Sequence, residues 1–562
     1  MTKLSTSLFV MLFLFISTEN NAQVNPTVLE QIDGFFSQWD NNHSPGAAVG
    51  VFQNGKILFS KGYGMANLDY GIPIDTESKF YVASIAKQFT AACIALLSID
   101  KKLDLNDDIR KYIPEIPEYE HTITIKNLLH HTSGIRDYLG IMYISGRSFQ
   151  DYSKNDDVIN MLSKQKALNF IPGSQHRYTN SGYVLLAEIV NRVSGMTIRE
   201  FAANRLFKPL GMVNTFFKDD RSEIIKNRVI GYQHHGESAY KRNLINFDKL
   251  GDGNLITTIN DMMLWNENFY HKKVGGQKFV DLMLTKGILN NGKTISYAFG
   301  LFHGDYKGYA TVSHNGNMLG FGIEFLRIPE QHTAVVVMSN SSNINATGQA
   351  YKIADLFIKD RTKQIETVLA NEVISSEVFG FKTIKVSPKN LTKYNGLFWN
   401  DNSNYSRRIY LKNDTLRYAR SIKNESALVP IGKDKFRMLG SSSKIIIKFE
   451  LKKNVVSKMV FSIDEDPPET LHVYEPINYT PEELVNFSGS YYSTELDCIY
   501  EMKMKNDALY LHINGNELYS PEIIKKNTFD IGGPYGIIKF EETTMNSFTL
   551  DSFGMTLRFN KI

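Results

Sequence analysis

An internal repeat in the last third of the chain places the strongest limit on how this sequence can fold. Leu391–Gly396 (LTKYNG) recurs as Leu484–Gly489 (LVNFSG), a shift of 93 residues, and the segments LKNDTL and MKNDAL obey the same shift. Each copy alternates β-rich runs with Asn-Asp and Gly turns. The repeat therefore predicts two small all-β units of the barrel or sandwich type, at 389–478 and 479–562.

The length and composition indicate a multidomain globular protein. At 562 residues the chain is long enough for about two to four domains. A 42% hydrophobic and 22% charged composition excludes disordered, collagen-like and coiled-coil chains. The net charge is only +4 and no basic block occurs, so we do not expect a nucleic-acid partner. Cys93 and Cys498 lie far apart, which excludes a disulfide framework and a thiolate zinc site.

The N-terminus has the pattern of an export signal. Lys3 precedes an unbroken apolar run, Leu8–Ile16, and a small residue, Ala22, stands at a plausible cleavage site before Gln23. We therefore predict a signal peptide over 1–22 and a mature protein that is exported, either periplasmic or secreted. No later run reaches the ~18 apolar residues of a membrane span, so none is expected.

The region 23–360 has a mixed α/β pattern that predicts one domain, followed by a polar linker over 361–388. Asn54-Gly55 separates two short apolar runs and indicates a β-hairpin. Ile85–Ile99 is apolar almost all round, as in a helix at the centre of a domain. Tyr183–Val193 predicts another helix, and Phe321–Ile328 with Thr333–Met338 predicts a strand pair.

A serine and a lysine stand one helical turn apart at the start of the apolar helix. Ser84 and Lys87 share one helix face at this spacing. A serine hydroxyl becomes a good nucleophile when a nearby base removes its proton, and a lysine can do so when its surroundings lower its pKa. The pattern alone is weak, because Ser-x-x-Lys also begins at Ser98, Ser163 and Ser441.

Two further groups add chemistry to this pair. Tyr178 and Asn180 lie between a Pro-Gly turn and a helix, where a phenol could pass protons and an amide could bind a substrate carbonyl. The alternative is a core tyrosine with Asn180 capping the helix. His314, Gly316 and Asn317 follow on a segment that reads as an edge strand, where glycine permits close approach of a substrate backbone.

The order and context of these groups resemble the penicillin-recognising serine hydrolases, which include class C β-lactamases, D-alanyl-D-alanine carboxypeptidases, D-aminopeptidases and related esterases. The resemblance covers about 30–360 and includes the supporting segments Pro45–Ala47, Leu128–Gly134 and Gly253–Thr258. It implies an α/β catalytic domain, an antiparallel sheet with helices, followed here by the two all-β units. D-aminopeptidases of this superfamily also carry two C-terminal β-barrels.

The resemblance also implies roles for individual residues. Ser84 is expected to be the acylated nucleophile, and Lys87 and Tyr178 are expected to share proton transfer. The resemblance does not decide which of these two residues is the base. The expected substrate-binding groups are the side chain of Asn180, the wall formed by His314 and Gly316, and an oxyanion hole of the Ser84 and Asn317 backbone N–H groups.

The third motif departs from many penicillin-binding relatives, in which it begins with lysine. His314 is mostly neutral at pH 7 unless its pKa is raised. We therefore expect a peptidase or esterase, on D-amino-acid-containing peptides such as cell-wall fragments or on small amides and esters. The alternatives are a β-lactamase or D-alanyl-D-alanine carboxypeptidase, and an inert protein that binds ligands through its β repeats.

No cofactor or metal is expected. His130-His131 and His234-His235 lack the spacing of metal ligands, and turn or surface positions are expected for them.

Overall fold

The structure is a computed structural model that describes residues 25–236, 239–361, 383–402, 404–421, 424–439, 444–463, 468–532, 535–542 and 544–562. The predicted signal peptide, 1–22, and most of the predicted linker, 362–382, lie outside the described residues.

An antiparallel six-stranded sheet forms the frame of the first region. In spatial order its strands are Phe302–Tyr306, Tyr309–Met318, Phe321–Ile328, Thr333–Ser339, Ala47–Gln53 and Lys56–Tyr63. The predicted strand pair Phe321–Ile328 and Thr333–Met338 is confirmed, with the second strand extending to Ser339, and both strands are buried on both faces.

The predicted hairpin at Asn54-Gly55 is also confirmed. Asn54 and Gly55 have φ of 51° and 74°, the left-handed geometry of a two-residue hairpin turn. Leu319 and Gly320, with φ of 48° and 86°, form the same kind of turn between Tyr309–Met318 and Phe321–Ile328.

Helices pack on both faces of this sheet. The apolar helix runs from Ala86 to Ile99 and buries residues on every side, as its sequence predicts. The second predicted helix spans Asn180–Ser194 and ends at Gly195, whose φ of 72° forms a left-handed C-cap. The remaining α-helices of the described catalytic region are Pro26–Phe36, Ile125–Leu129, Tyr138–Ile144, Asn155–Ser163, Ile198–Ala202, Lys208–Leu210, Ile259–His271, Gly276–Leu284 and Ala346–Ala354.

The short strands of this region, within the described residues, form three small antiparallel sheets. They are Met65–Asn67 with Ile72–Pro73, Phe80–Tyr81 and Phe216–Phe217 on either side of Leu255–Thr257, and the hairpin Gly231–His235 with Ala239–Asn243.

The prediction that His314 lies on an edge strand is wrong for the strand as a whole. Tyr309–Met318 pairs on both sides, and Phe302–Tyr306 is the outer strand. However, that outer strand ends where Phe302 pairs with Ser313. Within the described residues, His314–Met318 therefore has no strand partner on that side, and this half of the strand has an open edge.

The repeat folds as two all-β units, as predicted. The first is a closed barrel of the strands Gly396–Asn400, Tyr405–Lys412, Thr415–Ser421, Asn424–Gly432, Lys435–Met438, Ile445–Lys452, Val455–Ile463 and Glu469–Val473. The second is a curled sheet of Gly489–Ser493, Cys498–Lys505, Ala508–Ile513, Asn516–Tyr519, Glu522–Lys525, Thr528–Asp530, Ile537–Phe540, Ser547–Ser552 and Met555–Lys561.

Equivalent turns explain why the two copies share sequence. Asn413-Asp414 and Asn506-Asp507 each have two positive φ values, 50° and 57° in the first copy and 50° and 58° in the second. Asn and Asp tolerate this backbone geometry better than most residues. Each unit also begins with a proline-initiated helical turn, Pro388–Leu391 or Pro481–Leu484.

The second β unit packs directly against the catalytic region. The Tyr500 hydroxyl donates to the carbonyl of Ile144 at 2.6 Å, and Asn514 Nδ2 donates to the carbonyl of Ser145 at 2.9 Å. Apolar side chains of the two regions belong to one continuous core. In the described part of the chain, no helix combines the length and apolar character needed to cross a membrane.

Candidate active site

Ser84 lies in a strained turn at the entrance to the apolar helix. It occupies the 3-10 turn Ala83–Ile85, which leads directly into Ala86–Ile99. Ala83 has a φ of 45°, a left-handed conformation that costs a non-glycine residue about 1 to 3 kcal/mol. Strain at this position is typical of a functional turn whose geometry the surrounding structure imposes.

Lys87 is fully buried and contacts three oxygen atoms. Its Nζ lies 3.1 Å from Ser84 Oγ, 2.9 Å from Asn180 Oδ1 and 2.8 Å from the carbonyl oxygen of Asp252. Three acceptors match the three N–H groups of an ammonium. The structure thus joins Ser84 and Lys87 directly, whereas Ser98 lies near the far end of the same helix and Ser163 ends the helix Asn155–Ser163.

Tyr178 lies over the same lysine. Lys87 Nζ is 4.9 Å from the centre of the Tyr178 ring, within cation–π range. The Tyr178 hydroxyl is buried and has no hydrogen-bond partner among the described residues. A phenol hydroxyl that makes no hydrogen bond and lies beside an ammonium can exchange a proton with a group that enters the cleft.

Asn180 links this cluster to an acidic residue instead of capping the helix. Its Oδ1 accepts from Lys87, while its Nδ2 and backbone N–H donate to Asp137 Oδ2 at 3.1 and 2.5 Å. Burial raises the pKa of Asp137, and the N–H donors of Asn180 and Leu139 oppose that shift. One N–H of the Asn180 amide remains for a substrate carbonyl.

His314 is neutral in its buried position. Burial, reinforced by the charge of Lys87, lowers the pKa of His314 to about 3. Nδ1 lies 2.6 Å from the Asn315 carbonyl oxygen and therefore carries the proton, so Nε2 accepts from the Tyr297 hydroxyl at 3.2 Å. The neutral state expected from the sequence agrees with this environment.

Gly316 allows its strand to press against the Ser84 turn. A Cβ at this position would lie 2.6 Å from the Val82 carbonyl oxygen and 3.1 Å from the Ser84 nitrogen. Any side chain here would therefore separate the strand from the turn.

These groups surround a cavity of about 410 Å³. Ser84, Tyr178, Asn180 and Asn317 line it, whereas Lys87, His314 and Gly316 lie behind its walls. The other lining residues are Tyr81, Ala83, Tyr138, Leu139, Phe247, Asp252, Gly253, Phe302, Asn315 and Met318.

Sequence reasoning missed three residues of this site. Asp137 holds Asn180, and Asp252 accepts from Tyr138 through its carboxylate and from Lys87 through its carbonyl. His131 lies in a turn with a φ of 56°, as expected, but the expected surface position is wrong because it is buried under the Tyr178 ring, with ring centres 4.2 Å apart. Asp137 lies shortly after Leu128–Gly134, one of the segments that carry the family resemblance. This position is the sequence signal that could have identified Asp137 as a site residue.

Comparison with known proteins assigns the family. The family model described as Beta-lactamase matches residues 32–357. Penicillin-binding protein 4* of Bacillus subtilis is 27% identical over 375 residues, which cover 62% of this chain and 82% of that protein. A D-aminopeptidase of Gluconobacter oxydans is 25% identical over 311 residues, which cover 55% of this chain and only 58% of that protein.

A solved structure supports the fold. The octameric penicillin-binding protein homologue from Pyrococcus abyssi aligns with a TM-score of 0.55 at 21% identity, covering 79% of this chain and 99% of that one. The chain therefore belongs to the beta-lactamase family and is a serine hydrolase of the β-lactamase and penicillin-binding-protein type.

Proposed function

We propose that this protein is an exported hydrolase that forms an acyl-enzyme on Ser84 and acts as a peptidase or esterase. Its proposed substrates are D-amino-acid-containing peptides, including cell-wall fragments, and small amides or esters. The observation that carries the proposal is the 3.1 Å contact between Ser84 Oγ and Lys87 Nζ at the wall of the cavity.

In the proposed reaction, Ser84 Oγ attacks the substrate carbonyl carbon, and its proton passes to the Lys87–Tyr178 pair. The three acceptors around Lys87 suit its charged form, which supports Tyr178 as the proton relay: its hydroxyl takes up the Ser84 proton as it gives its own proton to the departing amine or alcohol. The tetrahedral intermediate expels the amine or alcohol, which takes up that proton. Water then attacks the ester carbonyl, the bond between the acyl carbon and Ser84 Oγ breaks, a proton of the water returns to Oγ, and the carboxylic acid leaves.

The backbone N–H groups of Ser84 and Asn317 are the proposed oxyanion hole. Met318 and Phe321 close a two-residue hairpin and form a hydrogen-bonded pair in this turn type. Pairs alternate along an antiparallel ladder, so the preceding pair, Asn317 with Gly322, is not mutually bonded. The Asn317 N–H is then free to point to the open edge, beside the cavity that Asn317 lines.

The neutral state of His314 favours peptidase or esterase activity over β-lactamase activity. A lysine at this position would hold a substrate carboxylate by its charge, but His314 is uncharged near pH 7. The similarity to a D-aminopeptidase supports the same choice of substrate.

Covalent labelling tests the nucleophile. A fluorophosphonate probe should add to Ser84, as located by mass spectrometry of the digested protein, and Ser84→Ala should remove both the adduct and turnover. Loss of the nucleophile in a serine hydrolase lowers turnover by about 10⁶. An intact wild-type protein that takes no label would instead indicate an inert binding protein.

A substrate panel tests the chemical class. We expect turnover of an activated ester or a D-aminoacyl anilide, and slow turnover of a chromogenic cephalosporin. Fast cephalosporin cleavage without ester or anilide turnover would contradict the proposal and indicate a β-lactamase.

Export is tested separately on the mature chain. The Lys3, Leu8–Ile16 and Ala22 pattern supports cleavage after Ala22. N-terminal sequencing of secreted or periplasmic material should begin at Gln23, and an uncleaved Met1 would contradict this part of the proposal.

A further inference from the structure

A second cavity lies next to the proposed active cleft and is lined by basic side chains. Its volume is about 330 Å³, and Lys218, Arg221 and Arg228 all line it. Tyr81 lines both cavities, and its ring packs against Phe321 with centroids 5.5 Å apart. The Tyr81–Phe321 contact therefore forms part of the wall between the two cavities.

Lys218 is buried in a way that ordinary structural lysines are not. Only 1% of the residue is exposed, and its Nζ has no hydrogen-bond or ion-pair partner among the described residues. The main chain holds it in place, because Lys218 follows the strand Phe216–Phe217 and its N–H donates to the Asn254 carbonyl at 2.8 Å. A buried ammonium without a partner is unfavourable, so the position calls for a counter-ion.

The carboxylates of this neighbourhood are largely committed elsewhere. Arg199 binds Asp219 and Glu223 at 2.5 and 2.8 Å. Asp220 accepts from the N–H and hydroxyl of Ser222.

Asp248 is the remaining internal candidate for a counter-ion. Its Oδ2 lies 3.9 Å from Arg221 Nη1, but no ion pair joins it to Lys218 among the described residues. Burial lowers the pKa of Lys218, and the charge of Arg228 adds to this effect while Asp248 opposes it. The lining of the cavity thus carries three cations and no carboxylate, while Asp248, Asp220 and Glu223 act on Lys218 from outside the lining.

We propose that this cavity is a binding subsite for a small oxyanion, a carboxylate or phosphate group, held by Lys218 and Arg228. The anion can arrive as the acidic end of a molecule that also occupies the active cleft, or as a free ion. Only the first source rests on the proposed hydrolase function, since binding of a free ion requires no turnover.

Titration with inorganic phosphate tests the subsite directly. We expect millimolar phosphate to raise the melting temperature of the full chain saturably, and calorimetry to detect binding. Lys218→Met should weaken phosphate binding about tenfold or more, as expected for loss of one charge-assisted hydrogen bond. Without phosphate the same variant should melt no lower than wild type, because it removes an unpaired buried charge.

Two further variants keep this test decisive. Arg228→Gln should also weaken phosphate binding. If Lys218→Met fails to fold, this second variant still tests the subsite. Lys226→Met is the matched control, because Lys226 is an exposed lysine of the same segment that does not line the cavity. Phosphate binding that is absent in wild type, or equal in all four proteins, would overturn the proposal.

Two matched esters distinguish the sources of the anion. If the substrate supplies it, Lys218→Met should raise KM for 4-nitrophenyl glutarate, which carries a free carboxylate, but not for 4-nitrophenyl butyrate. If a free ion occupies the site, both esters should respond equally while phosphate binding is still lost. Failure to turn over either ester would count against the proposed function, and the phosphate titration would still decide the subsite.

Discussion

At the scale of single residues, the site depends on how closely one strand approaches one turn. Gly316 lies against the backbone of Val82 and Ser84, at distances that leave no room for a methyl group. The left-handed Ala83 directly precedes Ser84 in this turn, and both residues line the cavity. Neither feature is a side-chain interaction, so both depend on backbone geometry.

Gly316→Ala should therefore impair catalysis more than folding. The added Cβ would meet the Val82 carbonyl oxygen at 2.6 Å and push the Asn317 N–H away from the Ser84 turn. We expect kcat to fall about 100-fold, the loss typical of one oxyanion-hole donor, in steady-state assays of the best ester. Gly322→Ala, whose Cβ would have its nearest neighbour at 3.4 Å, is the matched control. Equal activity of the two variants would contradict this role for Gly316.

At the scale of elements, a buried acid joins the sheet to the helix behind it. Glu324, on the strand Phe321–Ile328, is 2% exposed and accepts from Thr347 Oγ1 of the helix Ala346–Ala354 at 2.6 Å. Burial raises the pKa of the Glu324 carboxyl from 4.5 to about 7, although the Thr347 hydrogen bond opposes the shift. Burial therefore favours the protonated acid, whereas the hydrogen bond from Thr347 favours the ionised form.

The shifted pKa gives a pH-dependent stability with a defined sign. Between about pH 4.5 and 7 the folded state holds a proton that the unfolded state has released, so this group's contribution falls as pH rises. Glu324→Gln should match wild type at pH 4 and be more stable at pH 8, by an amount on the order of 3 kcal/mol. Urea unfolding at the two pH values measures this. An equal effect from Glu330→Gln, on the exposed 3-10 turn after the same strand, would show a general charge effect instead.

At the scale of the whole molecule, a buried ion pair ties the second β unit to the segment beside the active site. Arg136 Nη1 lies 2.5 Å from Glu495 Oε2, and the two side chains are only 3% and 8% exposed. Arg136 also donates to Gln165 Oε1 at 2.8 Å and to the Thr556 carbonyl at 3.1 Å. Because Asp137 is the next residue, this contact also helps to fix the group that holds Asn180.

Breaking this pair from one side should cost more than removing it altogether. Glu495→Gln leaves Arg136 buried without its counter-charge, and we expect a loss of about 3 to 5 kcal/mol. The double variant Arg136→Met, Glu495→Gln should recover much of that loss, because no unpaired charge remains. Chemical denaturation of four proteins, namely wild type, Arg136→Met, Glu495→Gln and the double variant, gives the coupling energy. Additive losses in the two single variants and the double variant would show that the pair does not act as a unit.

The sequence by itself determined the features that local chemistry controls. Repeated Asn-Asp and Gly turns specified the two β units, because few residues accept a positive φ. The unbroken apolar character of Ile85–Ile99 specified a central helix, and the order of Ser84, Tyr178 and His314 indicated the chemistry.

Only the tertiary structure decided how distant segments meet. Apart from the position of Asp137 after Leu128–Gly134, the sequence near these two acids does not indicate their roles, because the roles of Asp137 and Asp252 arise from contacts with Asn180, Tyr138 and Lys87. The open edge at His314–Met318 depends on where the neighbouring strand ends. Among the described residues Lys218 Nζ has no hydrogen-bond partner, because the nearby carboxylates bind other groups in the folded chain. Such features are set by packing between residues far apart in the chain, and local periodicity does not encode them.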